Sequence, residues 1–443
     1  MQVPFGEWLP DQPDHGKQGA NVATNVYHAA NTYKRFPSLV AYSSNTTSTD
    51  SKGAGSFRDN SNTVYNFVAT RTNIYQLTSG AFTSRKASLS GAADDFWTFT
   101  QFGEYVIASN GVDAAQYYLM GTSTNFANLT AIQTAGTAPV FRVSGVVRDF
   151  LVVGNITNAT NRIQWSGIND ITVWSGKQSD SQDLPGSGGQ VVAITSGEVG
   201  YVFRQNQIIR MDYVGGSVVF RLSVISPNRG AVYGRTVCQD NRQIFFYADD
   251  GFYQINGDQI MPIGVEKVNR YFDLNLNKAY ADRICAAVDP FNQLAMWLFP
   301  STSNTANTTG ICDKIIIYNY ATKKWSLANA SASTIFSQFV GAYTVELMDI
   351  LSQNLENINA ALDTDFWSGG QVLLGGIDSD YKAAIFSGTD NECEVETAEI
   401  EPFPGMRANI TGVRPIVDAT ATLTVKARER LADTESETSS VSM

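Results

Sequence analysis

The sequence is poor in the residues that build metal centres and nucleophile–base pairs. Among its 443 residues there are two histidines, at His15 and His28, and four cysteines. The cysteines are widely spaced and contain no Cys-x-x-Cys pair: Cys238, Cys285, Cys312 and Cys393. A structural zinc site and an imidazole-based catalytic triad are therefore not expected. Isolated thiols of this kind are typical of buried side chains in a protein made in a reducing cytosol.

Charge is also scarce, and basic charge is scarcer than acidic. Charged residues make up 16% of the chain and aromatic residues 11%, with 36 glycines and 13 prolines. Disordered chains have the opposite profile, rich in charge and poor in aromatics, so a folded protein is expected. The 31 basic residues against 42 acidic ones leave a net charge of −11, which disfavours a surface that grips duplex DNA.

Long apolar runs are missing as well. No run approaches the roughly 18 residues of a membrane-spanning helix, so we expect no membrane span. The first ten residues lack the basic segment and apolar stretch of a secretory signal. The chain is nevertheless longer than the roughly 250 to 300 residues at which one compact core stops growing. Several domains or a repeat architecture are therefore required.

Repeats are present as seven short apolar or alternating runs, each followed by a turn and a second run. They begin near residues 64, 105, 150, 200, 244, 293 and 372. The clearest is a hairpin in which Ile244–Tyr247 and Phe252–Ile255 flank an Asp250-Gly251 turn. Five of the six gaps lie between 41 and 50 residues. That spacing is typical of propeller blades, whose faces are buried only when neighbours stack on them. The sequence therefore predicts an all-β fold, a β-propeller of six or seven blades.

The remaining segments define the expected domains. Residues 1–60 are rich in proline, glycine, asparagine, serine and threonine and predict an extended N-terminal docking arm, followed by the propeller over 61–393. Within the propeller, leucine and isoleucine at three- and four-residue steps predict a short helical insertion at 344–362. A second short helix is expected at 265–272. Residues 394–443 predict a small C-terminal β-domain around Arg414-Pro415. It is incomplete, because its last clear strand has no return partner, so residues beyond this chain or another subunit would complete it.

Candidate chemistry is weak throughout. A glycosidase needs two carboxylates about 5 to 10 Å apart, and three sequence pairs offer themselves: Asp94 with Asp95, Asp249 with Asp250, and Asp363 with Asp365. Neighbours on a strand point to opposite faces, and aspartate in a turn serves the backbone. The glycine cluster at 185–189 lacks the lysine of a phosphate loop, and Asp378-Ser379-Asp380 lacks the spacing of a calcium loop. No catalytic, cofactor-binding or metal-binding residue is assigned, and the chain is not expected to be an enzyme.

Several short stretches together resemble one family, the tail nozzle or DNA-stabilisation proteins of short-tailed bacteriophages (tail tubular protein B-like). Their order and spacing carry the resemblance, and together they touch most of the chain. The segments are Trp8–Gln12, Asn25-Val26, Phe36–Leu39, Ile260–Gly264, Lys267–Phe272, Val288–Pro290, Phe366–Gly370, Ala384–Gly388, Glu396-Thr397 and Gly412–Pro415.

The resemblance implies a structural virion protein. Its copies would assemble, as a homo-oligomer and most simply a hexamer, into a ring-shaped nozzle at the end of the tail. The ring would close the tail channel, retain the packaged genomic DNA and conduct it on ejection without specific binding. A tail adaptor protein and tail fibres or receptor-binding proteins would be its partners. The protein would be made in the cytoplasm of the host bacterium, and no catalytic residue comes with the family.

Two other readings stay open. A carbohydrate-binding or carbohydrate-cleaving propeller acting at the host surface would need a closed, acidic and aromatic pocket on the propeller axis. A monomeric cytosolic scaffold would instead have an N-terminal arm that folds back on its own propeller. The nozzle would show extensive contacts between subunits around an open bore.

Overall fold

The computed structural model of the protein describes most of the chain. The described residues are 3, 5–17, 19–216, 218–304, 310–339, 372–388, 391–402, 406, 410–417, 420–428, 430, 433–438 and 441–442. The expected helical insertion at 344–362, the resembling segment at 366–370 and the pair Asp363 and Asp365 lie outside these residues.

Four short strands precede the repeats. They are β1 (Ala20–Thr24), β2 (Val26–Ala29), β3 (Thr32–Arg35) and β4 (Ser38–Ala41). Strands β2 and β3 form a hairpin, whereas β1 and β4 pair with strands from the other end of the chain.

Five four-stranded antiparallel sheets follow, each a simple meander in chain order. Blade 1 comprises β5 (Gly53–Arg58), β6 (Val64–Ala69), β7 (Ile74–Thr78) and β8 (Ala81–Lys86). Blade 2 comprises β9 (Thr98–Phe102), β10 (Tyr105–Ser109), β11 (Gln116–Leu119) and β12 (Ala127–Asn128). Blade 3 comprises β13 (Phe141–Val147), β14 (Phe150–Ile156), β15 (Ala159–Trp165) and β16 (Asp180–Asp183). Blade 4 comprises β17 (Val191–Ile194), β18 (Val199–Arg204), β19 (Ile208–Tyr213) and β20 (Phe220–Ser226), and blade 5 comprises β21 (Cys238–Asp240), β22 (Gln243–Ala248), β23 (Gly251–Asn256) and β24 (Gln259–Pro262).

The last two blades share one long strand. Blade 6 comprises β25 (Cys285–Asp289), β26 (Leu294–Phe299), β27 (Cys312–Asn319) and the first half of β28 (Lys324–Phe339). The second half of β28, from Ala332 onward, pairs with β29 (Val372–Asp378), which pairs with β30 (Ala383–Gly388). A register shift near Cys312 and Ala332 separates the two halves of β28, so one continuous strand ends blade 6 and begins blade 7.

The N-terminal strand β4 completes blade 7. It pairs antiparallel with β30, with Val40 opposite Ile385 and Leu39 opposite Phe386. Strand β4 is therefore the fourth strand of a sheet whose other members lie about 300 residues later in the chain. Its backbone satisfies the edge of β30, and both ends of the chain are held in one blade.

The seven sheets form a closed ring. The first strands of successive blades contact one another from β5 through β9, β13 and β17, and from β21 through β25 to the second half of β28. Strand β17 touches the 3-10 helix Gly234–Thr236 that leads into β21, and β28 touches β5, which closes the circle. Seven clusters of buried side chains lie between adjacent blades. The fold is a seven-bladed β-propeller, within the predicted range.

Each predicted hairpin is confirmed as the two central strands of one blade. The hairpin near residue 244 is β22 and β23, but its two-residue turn is Asp249-Asp250, one residue earlier than predicted, because Ala248 pairs with Gly251. Gly251 has φ +133°, and a Cβ there would lie 1.9 Å from the Asn269 amide nitrogen. Asn269 uses that space to accept a hydrogen bond from the Phe252 N–H at 3.2 Å. Glycine is thus required both by the backbone and by the neighbour.

Helices are few among the described residues. The predicted helix at 265–272 is found four residues later, as α1 (Asn269–Asn275), because 265–268 forms a turn closed on the Gly264 carbonyl. Single-turn 3-10 segments occur at Leu129–Ile132 and Gly234–Thr236, with a longer one at Lys278–Arg283.

The N-terminal boundary differs from the prediction. The first blade begins with β5 at Gly53–Arg58, inside the segment 1–60 that composition marked as an arm. Strands β1 and β4 within the same segment pair with the chain's own β31 (Glu394–Thr397), β28 and β30. These strands could not be predicted from composition, because they are short and because their partners lie far away in the sequence.

The C-terminal region also differs. Residues 410–417, expected to hold a strand beside Arg414-Pro415, have no regular structure and are mostly exposed. The later strand does have a return partner. Strand β32 (Thr422–Leu423) pairs with β35 (Val441–Ser442), and β33 (Lys426–Ala427) pairs with β34 (Ser436–Glu437). The return strand lies in a serine- and glutamate-rich stretch without apolar alternation, and backbone bonds between Val425 and Thr438 hold it.

Closure by β4 generates a stability prediction. Phe36, immediately before β4, is 3% exposed and stacks on Phe386 of β30 with ring centroids 5.2 Å apart. Phe36→Ala is expected to lower the free energy of unfolding by about 3 to 5 kcal/mol, because it leaves a cavity between blades 6 and 7. Phe291→Ala, at a ring that is 75% exposed, is the matched control and should change it by less than about 0.5 kcal/mol. Urea denaturation measures both, and equal effects would contradict the closure.

Candidate functional site

Two of the three aspartate pairs considered from the sequence lie in the described residues, and in each pair one carboxylate is held by hydrogen bonds to other groups. Asp95 accepts the N–H of Ala92 and a 2.6 Å bond from the Arg142 guanidinium, whereas Asp94 is exposed. Asp250 accepts bonds from Arg229 and from the Tyr253 hydroxyl. In each pair the engaged carboxylate thus faces a partner across its turn rather than the neighbouring aspartate, which is the arrangement expected of structural turns.

The glycine cluster at 185–189 wraps a buried arginine. Arg204 is 2% exposed, and its guanidinium donates to the carbonyls of Pro185, Gly186 and Gly189 and to the Gln207 side chain. A Cβ at Gly188 would lie 2.8 Å from the guanidinium carbon. The cluster is therefore a close-fitting cradle for a cation between blades 3 and 4, and it is unlike a phosphate loop.

Metal-binding arrangements are not found among the described residues. The carboxylate of Asp378 accepts the N–H groups of Asp380 and Lys382 and so closes its own turn, while burial raises its pKa. No group of three or more histidine, cysteine, aspartate or glutamate side chains comes together in the described ranges. Three cysteines are buried and Cys393 is exposed, and all four are unpaired thiols.

The two histidines lie in different environments. His15 is about half exposed, with Nδ1 3.8 Å from a Glu399 carboxylate oxygen. His28 is 1% exposed on β2, stacked on Tyr33 with ring centroids 4.5 Å apart. Burial, aided by the charge of Lys324, lowers the pKa of His28 to about 4. His28 is therefore neutral at pH 7 and contributes packing.

One shallow groove lies between blades 4 and 5. It has a volume of about 780 Å³ and is lined by Ser196, Gly197, Gln239, Asp240, Asn241, Arg242, Gln243 and Asn256. The lining contains amides, one carboxylate and one guanidinium but no aromatic ring, so it lacks the stacking platform that a sugar ring uses.

The most elaborate contact region is where the N-terminal segment lies on blades 5 and 6. We call residues Glu7–Gln12, together with the segment Lys267–Tyr271 that they contact, the N-terminal clasp. Glu7 pairs with Lys267 at 2.8 Å, and the Trp8 ring packs edge-on against Tyr271 with centroids 4.9 Å apart. The Tyr33 hydroxyl donates to the Gly6 carbonyl at 2.6 Å and so ties the clasp to the β2–β3 hairpin.

Asp11 of the clasp caps helix α1 from a distant part of the chain. Its carboxylate accepts the N–H groups of Arg270 and Tyr271 at 2.9 and 2.7 Å. The residue in the local capping position is Val268, which has no side chain able to do this. The first turn of α1 therefore obtains its acceptor from a residue 259 positions earlier than Arg270.

A second contact region joins β1 to the end of the chain. Strand β1 pairs antiparallel with β31, with Val22 opposite Glu396 and Ala20 opposite Thr397. The Asn25 side chain donates to the Glu392 carbonyl at 2.7 Å and accepts the N–H of Asn329 at 2.8 Å. Asn25 itself has φ +59°, a conformation that asparagine tolerates better than most residues.

These contact regions had a weak sequence signal. Trp8, Asp11 and Asn25 stand in a polar, glycine- and proline-rich stretch in which composition predicts an arm, and their partners lie more than 250 residues away. A buried tryptophan beside a short acidic and proline-containing segment is the one local signal that marks a docked segment.

Comparisons with known proteins were made for the whole chain. No protein-family model and no curated protein matches it. One chain of the crystal structure of the mitotic checkpoint complex aligns over 82% of this chain and 99% of its own, at 11% identity and a TM-score of 0.44. The β-propeller domain of Cps50 (Swd1) from Myceliophteria thermophila aligns over 79% and 100%, at 10% identity and a TM-score of 0.45. Apo AztD from Citrobacter koseri aligns over 62% and 86%, at 13% identity and a TM-score of 0.36.

Likenesses at this level of identity say nothing about activity or partners. The propeller assignment stands on the sheet order and the contacts between blades. Among the described residues, no helix combines the length and the apolar character needed to cross a bilayer.

The clasp generates a stability prediction. Asp11→Ala removes the acceptor of two N–H groups of α1 and is expected to lower the free energy of unfolding by about 1 kcal/mol. Asp94→Ala, at an exposed carboxylate remote from the clasp in sequence, is the matched control and should have little effect. Urea denaturation at pH 7 measures both variants. Equal stability of Asp11→Ala and the unmodified chain would show that the clasp does not cap α1.

His28 generates a pH prediction. Because its pKa falls from about 6.5 in the unfolded chain to about 4 in the fold, the unfolded state binds the extra proton first and stability is lost as the pH falls from 6.5 toward 4. Between pH 7 and pH 4.5 the unmodified chain should lose about 2 to 3 kcal/mol more than His28→Phe. His15→Gln, the control, should behave like the unmodified chain. Identical pH profiles for the unmodified chain and His28→Phe would refute the assignment.

Proposed function

We propose that the chain is a structural subunit of a short-tailed phage tail, whose copies form a ring-shaped nozzle that closes the tail channel, retains the packaged DNA and conducts it on ejection. The observation that carries the proposal is the placement of the resembling segments. Segments far apart in the sequence, each too short to identify a family, contact one another in the fold.

Two pairs of segments make the point. Phe36–Leu39 and Ala384–Gly388, both part of the resemblance, are the two sides of the β4–β30 ladder. Trp8–Gln12 lies on Lys267–Phe272, and the contact includes the Asp11 cap of α1. The resemblance therefore includes elements that close this propeller and hold its N-terminal segment, and this supports the proposal of an architectural likeness.

Charge is compatible with a conduit for DNA. Each copy carries a net charge of −11, so a ring of copies repels phosphate, and DNA passes such a wall without adhering to it. Non-specific adhesion would slow ejection. The proposal needs no base contacts and no clustered basic surface.

The C-terminal segment suits a contact between subunits or with a tail partner. Several apolar side chains there are exposed, including Met406 at 73% and Ile416 at 87%. In the same C-terminal segment, strands β32 to β35 form two short ladders. Each ladder has two residue pairs among the described residues. Exposed apolar groups on a small, thinly paired element favour burial against another chain in an assembly.

The carbohydrate-cleaving alternative is not favoured. It needs an acidic and aromatic pocket on the propeller axis, whereas the cavity at the entry to blades 1, 5 and 6 has a volume of about 20 Å³ and is lined by Lys52, Arg235, Arg283 and one carboxylate, Asp50.

A second candidate function is a monomeric scaffold. One observation favours it: the N-terminal segment lies on its own propeller, through the clasp and through β1 and β4. A nozzle could also hold its arm in this way and contact the tail with its C-terminal segment. The two functions therefore differ in where copies of the chain are found.

Quantitative mass spectrometry of purified virions separates the two functions. The sample is the tailed particle whose genome encodes this chain. The particles are purified on a density gradient and washed in high salt. The major capsid protein of the same particles serves as the copy-number reference. The nozzle predicts a fixed small number of copies per particle, close to six. Absence of the chain from the particles, together with a monomeric soluble pool in the infected cell, would overturn the nozzle and support the scaffold.

A further inference from the structure

A small cavity lies where the first strands of blades 1, 5 and 6 begin and blade 7 starts. Lys52 precedes β5, Arg235 precedes β21, Arg283 precedes β25, and Ser333 lies on the second half of β28. The cavity has a volume of about 20 Å³ and is lined by Asp50, Ser51, Lys52, Arg235, Arg283, Gly310, Ile311, Cys312 and Ser333. It therefore lies at the seam where the ring closes between blades 7 and 1.

Positive charge exceeds negative charge in this lining. One Asp50 oxygen lies 3.0 Å from the Lys52 ammonium and 3.6 Å from an Arg283 nitrogen. The Lys52 side chain is only 8% exposed. The third cation, Arg235, donates to the neutral Thr334 hydroxyl at 3.1 Å. Three cations thus line the cavity with one carboxylate, which contacts two of them, and charges of one sign at a partly buried site are unfavourable unless they are paired.

The neighbouring groups that could supply negative charge do not. Burial raises the pKa of the Cys312 thiol well above its usual range, so the thiol is protonated at pH 7. Asp313, the next residue, directs its carboxylate to the N–H and hydroxyl of Ser301. The Arg283 Nε is buried and has no acceptor among the described residues. A buried donor of this kind points to an acceptor supplied from solution.

The size of the cavity selects the class of ligand. A volume of about 20 Å³ is close to the 10 to 15 Å³ that one water molecule requires. A single monoatomic anion fits both the volume and the excess of positive charge.

We propose that this cavity binds one chloride ion between Lys52, Arg235 and Arg283. The ion joins residues that lead into blades 1, 5 and 6, beside the first strand of blade 7. It neutralises part of the excess charge and stabilises the ring at its closure. Net positive side-chain charge, an acceptor-free Arg283 donor and a cavity of one-ion size support the site independently of the proposed nozzle function.

Thermal unfolding of the full chain in sodium chloride and in sodium gluconate, at constant total ionic strength, tests the site. Above saturation the chloride series should raise the Tm by about 1 to 2 °C per tenfold increase in chloride, and gluconate should not.

Two variants should act in opposite directions. Arg235→Gln removes a cation from the site and should flatten the chloride dependence. Asp50→Asn removes the competing carboxylate and should move the onset of the dependence to lower chloride, even though it lowers stability in gluconate. Arg162→Gln, at an exposed cation paired with Asp183 on blade 3, is the matched control and should keep the dependence of the unmodified chain.

Anomalous diffraction from crystals of the unmodified chain soaked in sodium bromide does not depend on any variant folding. A bromide peak in contact with Lys52 and Arg283 is the expected result. Water alone in the cavity, a sulfate ion there, or equal Tm values in chloride and gluconate would each overturn the proposal.

Discussion

The structure depends on closing a ring of sheets that cannot be stable singly. Each blade has two apolar faces, and the seven buried clusters all lie between blades rather than within them. An open array would leave a face of the first blade and a face of the last exposed to water. Strand β4 supplies the missing edge of blade 7, so that blade 7 packs against blade 1 and the seventh interface forms.

The remaining features of the chain follow from that closure. The clasp and the β1–β31 ladder hold the segment that precedes β4 against blades 5 to 7. Asn25 connects the two parts of this arrangement, because it bonds to the blade 6 residue Asn329 and to the Glu392 carbonyl. The excess of cations around Asp50 lies near the same seam. These contacts suit a rigid scaffold that presents surfaces to other chains.

The sequence predicts the central strands of every blade because these strands are buried on both faces and therefore read as continuous apolar runs. Ile244–Tyr247 and Phe252–Ile255 are the clearest case. The outer strands could not be predicted in this way: β16 (Asp180–Asp183) is exposed and polar, and only its pairing with β15 makes it a strand. Closure by β4, the Asp11 cap and the cation cluster around Asp50 escaped prediction because each joins residues that are remote in sequence and polar or short in themselves.

Native-state hydrogen exchange tests the closed ring most directly. If β4 is the fourth strand of blade 7, the N–H of Tyr42, which donates to the Ala383 carbonyl at 2.9 Å, exchanges only when the whole propeller unfolds, together with the amides of β29 and β30. Its exchange rate should then follow the global free energy of unfolding as urea is added. Fast exchange at Tyr42 while β29 and β30 stay protected would contradict closure by the N-terminal strand.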